Sequence, residues 1–161
     1  MSIRIATSVD AIDICRIYNY YIRNTAISFE EHEVAAAEMA LRISTTLQEF
    51  PWMVLEDGGA VVGYAYATKW RARSAYRFSV ETSVYLDQGG RGRGWGSALY
   101  EALLSELSKQ GVHAAIGGIA LPNEASVRLH EKMGYKKVAH FQDVGFKHER
   151  WIDVGYWQKL L

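Results

Sequence analysis

Five glycines, Gly89, Gly90, Gly92, Gly94 and Gly96, crowd the stretch DQGGRGRGWGSALYEALL (Asp87–Leu104), with Arg91 and Arg93 set between them. Bare backbone of this kind lets several N–H groups converge on the oxygens of an anion. A helix-like run follows, with Leu99, Leu103 and Leu107 on one stripe. Its N-terminus would turn a partial positive charge toward that anion, worth about 0.3–1 kcal/mol per charge at an exposed site. The chemistry implied is phosphate binding. The plainer reading is a solvated glycine turn with two surface arginines. The β-rich run before the turn and the amphipathic run after it argue against that.

Two common phosphate designs do not fit. A Walker loop needs G-x-x-x-x-G-K-[ST], and no lysine follows a glycine at that spacing. A dinucleotide fingerprint finds its nearest frame at Gly92, Gly94 and Ser97, and the region that should carry an acid reads VHAAIGGIAL, with none. The frame that remains is Arg91-x-x-Gly94-x-Gly96.

The elements that must hold this turn can be read from periodicity. Residues 3–7 alternate weakly as a first strand. Asp10 is positioned to cap a helix carrying Cys15, Tyr18 and Ile22, and NTAISFEEHE reads as a loop. Met39, Ile43 and Leu47 mark a second helix, which Pro51 ends. Asp57-Gly58-Gly59 joins two β-rich runs as a hairpin turn. FSVETSVYL and AAIGGIAL read as strands, and NEASVRLHEKMGY as a helix between Asn123 and Gly134. Two closing strands are expected near residues 136–144 and 150–159. In FSVETSVYL, Phe78, Val80, Thr82, Val84 and Leu86 share one face, and Glu81 shares the other with Ser79, Ser83 and Tyr85.

Composition narrows the field. A chain of 161 residues with 49% apolar content predicts one domain, spanning residues 1–161. Eighteen basic and 18 acidic side chains cancel, which argues against a nucleic-acid binder. MSIRIATSVD lacks the apolar core of a signal peptide, and no apolar run approaches membrane-spanning length. The lone Cys15 has no partner for a disulfide and reads as a buried, inert thiol. No histidine–carboxylate set has zinc spacing, so no metal is expected. These features predict a cytoplasmic protein.

The Arg91-x-x-Gly94-x-Gly96 frame resembles the R/Q-x-x-G-x-G/A signature of the GNAT N-acetyltransferases, whose loop binds the pyrophosphate of acetyl-CoA. LPNEASVRLHEKMGY is similar to that family's next motif and supplies Asn123, Ser126, His130 and the Gly134-Tyr135 stop. The wider family often has tyrosine at the position of His130. Histidine there resembles one branch, the phosphinothricin acetyltransferases and the related N-acyltransferases acting on methionine sulfoximine and sulfone. Phe50-Pro51-Trp52, the segment Trp70–Tyr76, Glu81–Tyr85 and the closing VGFKHERWIDVGYWQ also resemble that branch.

The resemblance implies an α/β fold: a mixed, mostly antiparallel sheet of about seven strands flanked by helices, with a splayed parallel pair that binds acetyl-CoA. It implies direct attack of a free amine on the thioester. Glu81 and His130 are then the candidate catalytic groups. His130 would either take a proton from the amine through water or donate one to the thiolate. Val84, Tyr85 and Leu86 would offer backbone groups to the pantetheine arm, joined by Arg91, Gly92, Arg93, Gly94, Trp95, Gly96, Ser97 and Asn123 as cofactor contacts. Arg71 and Arg73 would fork onto the carboxylate of an amino-acid substrate, with Arg73 favoured. Thr82, Ser83 and Phe29, with Glu30 beside it, would line the acceptor. A polyamine, an aminoglycoside or a protein N-terminus is the alternative acceptor, although KWRARSAYR does not suit a polycation. A non-catalytic acyl-CoA-binding module is a further alternative, against which Glu81 and His130 both count. Trp151, Tyr156 and Trp157 exceed the needs of one small core, and the branch usually forms homodimers.

Overall fold

The computed structural model describes residues 1–161. Strand β1 (Ser2–Ile5) leads through a 3-10 turn at Ser8–Asp10 into helix α1 (Ala11–Asn24), and an irregular segment separates this from α2 (Ala36–Thr46). The hairpin strands β2 (Trp52–Asp57) and β3 (Ala60–Lys69) follow, then β4 (Ser79–Leu86), α3 (Trp95–Lys109) and β5 (Ala114–Leu121). Helix α4 (Glu124–Lys132) and the strands β6 (Lys136–Lys147) and β7 (Arg150–Leu160) close the chain.

The seven strands form one sheet in the order β1-β2-β3-β4-β5-β7-β6. All neighbours are antiparallel except β4 and β5. The β2–β3 turn places Gly58 at φ 60° and Gly59 at φ 84°, the left-handed pair that a two-residue hairpin of matching twist requires.

Both faces of the sheet are covered at β2 and β3. Met53 and Leu55 of β2 join α3 residues Leu99, Leu103 and Leu107 in one core. Trp52 and Val54, alternating with them, meet Ile14, Ile17 and Ile22 of α1 and Met39 and Ile43 of α2 in the other. A strand buried on both faces loses the polar–apolar alternation, and β2 is buried throughout Trp52–Leu55.

The structure departs from the sequence reading at several points. Asp10 holds the N-cap position of α1, but its side chain bonds no helix amide. It turns back to accept the Thr7 amide at 2.7 Å and the Arg4 guanidinium at 2.8 and 2.9 Å. Phe78 is exposed, because β4 begins at Ser79, and the Arg77 guanidinium lies 4.5 Å above its ring. Of the closing aromatics, Trp157 enters the core, Tyr156 is half-buried, and Trp151 remains 64% exposed.

Candidate active site

The parallel β4–β5 ladder holds only Ser79–Glu81 against Ala114–Ile116. Beyond that point β4 keeps its bonds to β3 and β5 keeps its bonds to β7, so the facing edges of Thr82–Leu86 and Gly117–Leu121 part. Three cavities line up along this opening. A cleft of about 480 Å³ lies at the glycine turn, a cavity of about 50 Å³ in the splay, and a second cleft of about 500 Å³ beyond it. Val84, Asn123 and Ser126 are shared by the first two, Ser83, Tyr85 and Gly118 by the last two, and Ile27 by all three.

The glycine-turn cleft has the character of an anion site. Gly92 and Gly94 both sit at φ 76°, a left-handed conformation that side-chain-bearing residues rarely adopt. Gly94 is the N-cap of α3, whose first amides have no intrahelical carbonyl to bond. Arg91, Trp95, Gly96, Ser97 and Asn123 line the cleft, as the motif predicts. Arg93 does not: it lies over the Trp95 ring and toward Asp57 at 3.8 Å. Two cations missed in the sequence, Arg128 and Lys132 of α4, line the cleft instead. Their four-residue spacing puts them on one helix face, a signal that was there to read.

These features suit acetyl-CoA. Positive-φ glycines, free amides and cations can hold its phosphates, and the unpaired edge of β4 offers backbone groups to an amide-bearing arm. Val84 and Leu86 line the phosphate cleft, and Tyr85 lines the splay. The Leu86 carbonyl already accepts a 2.6 Å bond from the Tyr21 hydroxyl, which sequence reasoning did not find. Asn123 caps α4 by accepting the Ser126 amide at 3.2 Å while facing the opening.

His130 is a buried residue at the splay, 3% exposed. Its Nδ1 lies 2.8 Å from the Ser126 carbonyl. A carbonyl only accepts, so Nδ1 carries the proton. Nε2 then keeps its lone pair and accepts from the Tyr100 hydroxyl at 2.9 Å. Burial pushes the imidazole pKa down, so the ring is neutral. Gly117 permits the close approach: a Cβ there would lie 2.5 Å from Nε2. Thr82 faces the same cavity, its hydroxyl 2.9 Å from that of Tyr135, whose pKa burial pushes up to about 12.

Glu81 stands where the ladder ends and lines the far cleft with Ser83, Tyr85 and Tyr156. Burial raises its pKa, and the charge of Arg71 opposes the shift. Arg71 lies over the Trp70 ring at 4.8 Å. Arg73 sits on the exposed turn after β3, outside the cleft wall.

The roof of this cleft is the segment 25–34, held from three sides. Lys147 donates to the Ser28 carbonyl at 2.6 Å, and His148 Nε2–H to the Thr25 carbonyl at 3.2 Å. Phe29 packs on Gly145, where a Cβ would lie 2.4 Å from its ring. Tyr18 bonds both Ser28 and Glu30, and Arg42 forks onto Glu30 at 2.8 and 2.9 Å. No group of three or more His, Cys, Asp or Glu side chains is arranged to hold a metal ion. No helix is long and apolar enough to cross a membrane.

Comparison with known proteins gives one answer. The family model described as an acetyltransferase (GNAT) domain matches residues 3–155. The chain is 38% identical over 159 residues to a phosphinothricin N-acetyltransferase of Streptomyces viridochromogenes, covering 99% of this chain and 87% of that one. It is 35% identical to an L-methionine sulfoximine/L-methionine sulfone acetyltransferase of Salmonella typhimurium, covering 100% and 95%. The crystal structure of a GNAT superfamily phosphinothricin acetyltransferase from Sinorhizobium meliloti in complex with acetyl-CoA matches with a TM-score of 0.95 at 38% identity, over 99% of this chain and 88% of that one.

Proposed function

The chain belongs to the GNAT acetyltransferase family and is an acetyl-CoA-dependent N-acetyltransferase, and from that premise we propose that its acceptor is the α-amine of a small amino acid or analogue. Methionine sulfoximine, methionine sulfone and phosphinothricin represent the class. One observation carries the reading: the three cavities form a row, with the phosphate-binding turn at one end and Glu81 at the other. A polycationic acceptor is the alternative: Arg71 beside Glu81 opposes it, while the carboxylates of Glu81 and Glu30 on the cleft wall would attract it.

Bound acetyl-CoA supplies an activated thioester. The acceptor arrives as an ammonium ion and must lose a proton before its nitrogen can attack. Glu81 receives that proton, directly or through one water. Its raised pKa makes it a better base than an ordinary surface carboxylate. Attack forms the C–N bond and collapse breaks the C–S bond. The amine's second proton leaves, one proton returns to the thiolate, and one is released. Arg71, whose charge reaches Glu81, holds the acceptor carboxylate, whereas Arg73, the arginine favoured from the sequence, lies on the exposed turn outside the cleft wall. Neither role open to His130 is served by a free ring atom: its Nδ1 proton goes to the Ser126 carbonyl and its Nε2 lone pair takes the Tyr100 hydroxyl, so taking or giving a proton requires one of these bonds to give way. Thr82, Ser83 and Phe29 shape the space between.

The exposed apolar side chains Val138, Phe141, Val144, Phe146 and Trp151 lie on the β6–β7 hairpin, and β6 is an edge strand. This favours a homodimer through that hairpin, and light scattering should give twice the chain mass. The acceptor assignment is tested by NMR of the product from methionine sulfone and acetyl-CoA. An α-N-acetyl product, with no turnover of the carboxyl-esterified compound, is expected. Acetylation of the ester at an equal rate overturns the carboxylate clamp.

A further inference from the structure

Glu30 places a second carboxylate, besides Glu81, on the wall of the acceptor cleft. It is ionised: the Arg42 guanidinium first, with help from Tyr18, holds its pKa down. The other wall residues are Tyr18, Ser28, Tyr66, Tyr85 and Tyr156 with small and apolar neighbours, and no lysine or arginine lines the cleft.

The nearby cations are all engaged elsewhere. Arg42 divides its donors between Glu30 and Glu38, and it lines a separate cavity beyond Tyr18 and Tyr66. Lys147 is sealed behind the roof on the Ser28 carbonyl. Arg71 lies on the far side, beside Glu81, and is assigned above to the substrate carboxylate.

An amino acid whose side chain ends in an anion therefore meets the Glu30 carboxylate, whose partner Arg42 stands behind it and is shared with Glu38, with no cation on the cleft wall to pair with. One ending in an uncharged polar group meets phenols and a serine, with Phe29, Ile27 and Val154 for its methyl group. We infer that this enzyme selects acceptors with a neutral polar tail, such as a sulfone or sulfoximine, over those with an anionic tail, such as a phosphinate, and that Glu30 sets the choice. This rests on the acceptor class proposed above. It separates this chain from its phosphinothricin-acetylating relatives in preference, not in chemistry.

The test compares kcat/KM for methionine sulfone and for phosphinothricin, with saturating acetyl-CoA and the full chain. The wild type should favour the sulfone by about tenfold or more, since like charges brought together in a cleft cost more than about 1.4 kcal/mol. Glu30→Gln removes the carboxylate and frees the Arg42 fork. It should shift the ratio toward phosphinothricin by about fivefold or more, through the KM for that acceptor. Glu30→Asp keeps the charge and should retain the wild-type preference, which separates the effect from damage to the roof. Equal or better use of phosphinothricin by the wild type, or an unchanged ratio in Glu30→Gln, overturns the inference while leaving the proposed acceptor class intact. Turnover of polyamines but of neither amino acid overturns both.

Discussion

Tyr100 donates its hydroxyl proton to Nε2 of His130 at 2.9 Å, while the other ring nitrogen gives its proton to the Ser126 carbonyl. The ring is thus fixed in one tautomer, in a buried site that disfavours its charge. In Tyr100→Phe the lone pair loses its partner and the ring its alignment. The expected outcome is a kcat reduced by about tenfold to a hundredfold, with KM for acetyl-CoA little changed. The wild-type His130 resonance, followed by NMR, should titrate below the usual imidazole range.

Glu81→Gln removes the proposed base. Loss of a positioned base costs about 10²–10⁴-fold in rate, and the acid limb of the kcat/KM profile should vanish with it. In the wild type that limb lies above the usual carboxylate range, because burial raises the Glu81 pKa. The same shift has a stability consequence. A carboxyl whose folded pKa is raised binds its proton more tightly when folded, so stability falls as pH rises between the unfolded and folded values. Glu81→Gln should therefore melt higher than wild type at pH 8, with the gain fading below the ordinary carboxylate pKa of the unfolded chain.

Gly145→Ala acts on the roof. Its new methyl would sit 2.4 Å from the Phe29 ring and must push that ring into the acceptor cleft or out of it. Such overpacking costs about 1–3 kcal/mol, which should raise the acceptor KM about tenfold while KM for acetyl-CoA holds. Steady-state kinetics with each substrate varied in turn checks this.

Asp10→Asn weakens the tie between β1 and α1. Asp10 is 6% exposed and accepts two bonds from Arg4. Losing a charge-assisted pair of this kind costs about 2 kcal/mol, or about 4–8 °C in Tm for a chain of this size. The Arg4 bond lowers the folded pKa of Asp10, so its contribution is present above the ordinary aspartate pKa of the unfolded chain and is lost as pH falls through the folded value. Thermal melts at pH 7 and pH 3 should show the wild-type advantage narrowing.

The parts of the site that lie close together in sequence were legible there. The glycine turn, its helix, Asn123 and the strand AAIGGIAL all sit where periodicity and capping rules put them. The roof was not legible. Ser28 and Lys147 are 119 residues apart, and nothing in the polar run after Asn24 says that the last hairpin will fold over it. Nor could Arg4 be foreseen as the partner that turns Asp10 away from its helix. Tyr100 was hidden for a different reason. It reads as one more apolar position of an amphipathic helix, and only the approach of α4 gives its hydroxyl a partner.

The most direct measurement is CoA release from acetyl-CoA, followed with a thiol-reactive dye, across amino-acid acceptors, a polyamine and an aminoglycoside. Turnover with methionine sulfone or sulfoximine, absent with the polycations and abolished in Glu81→Gln, is the predicted result. Turnover confined to the polycations, or undiminished in Glu81→Gln, would contradict the account.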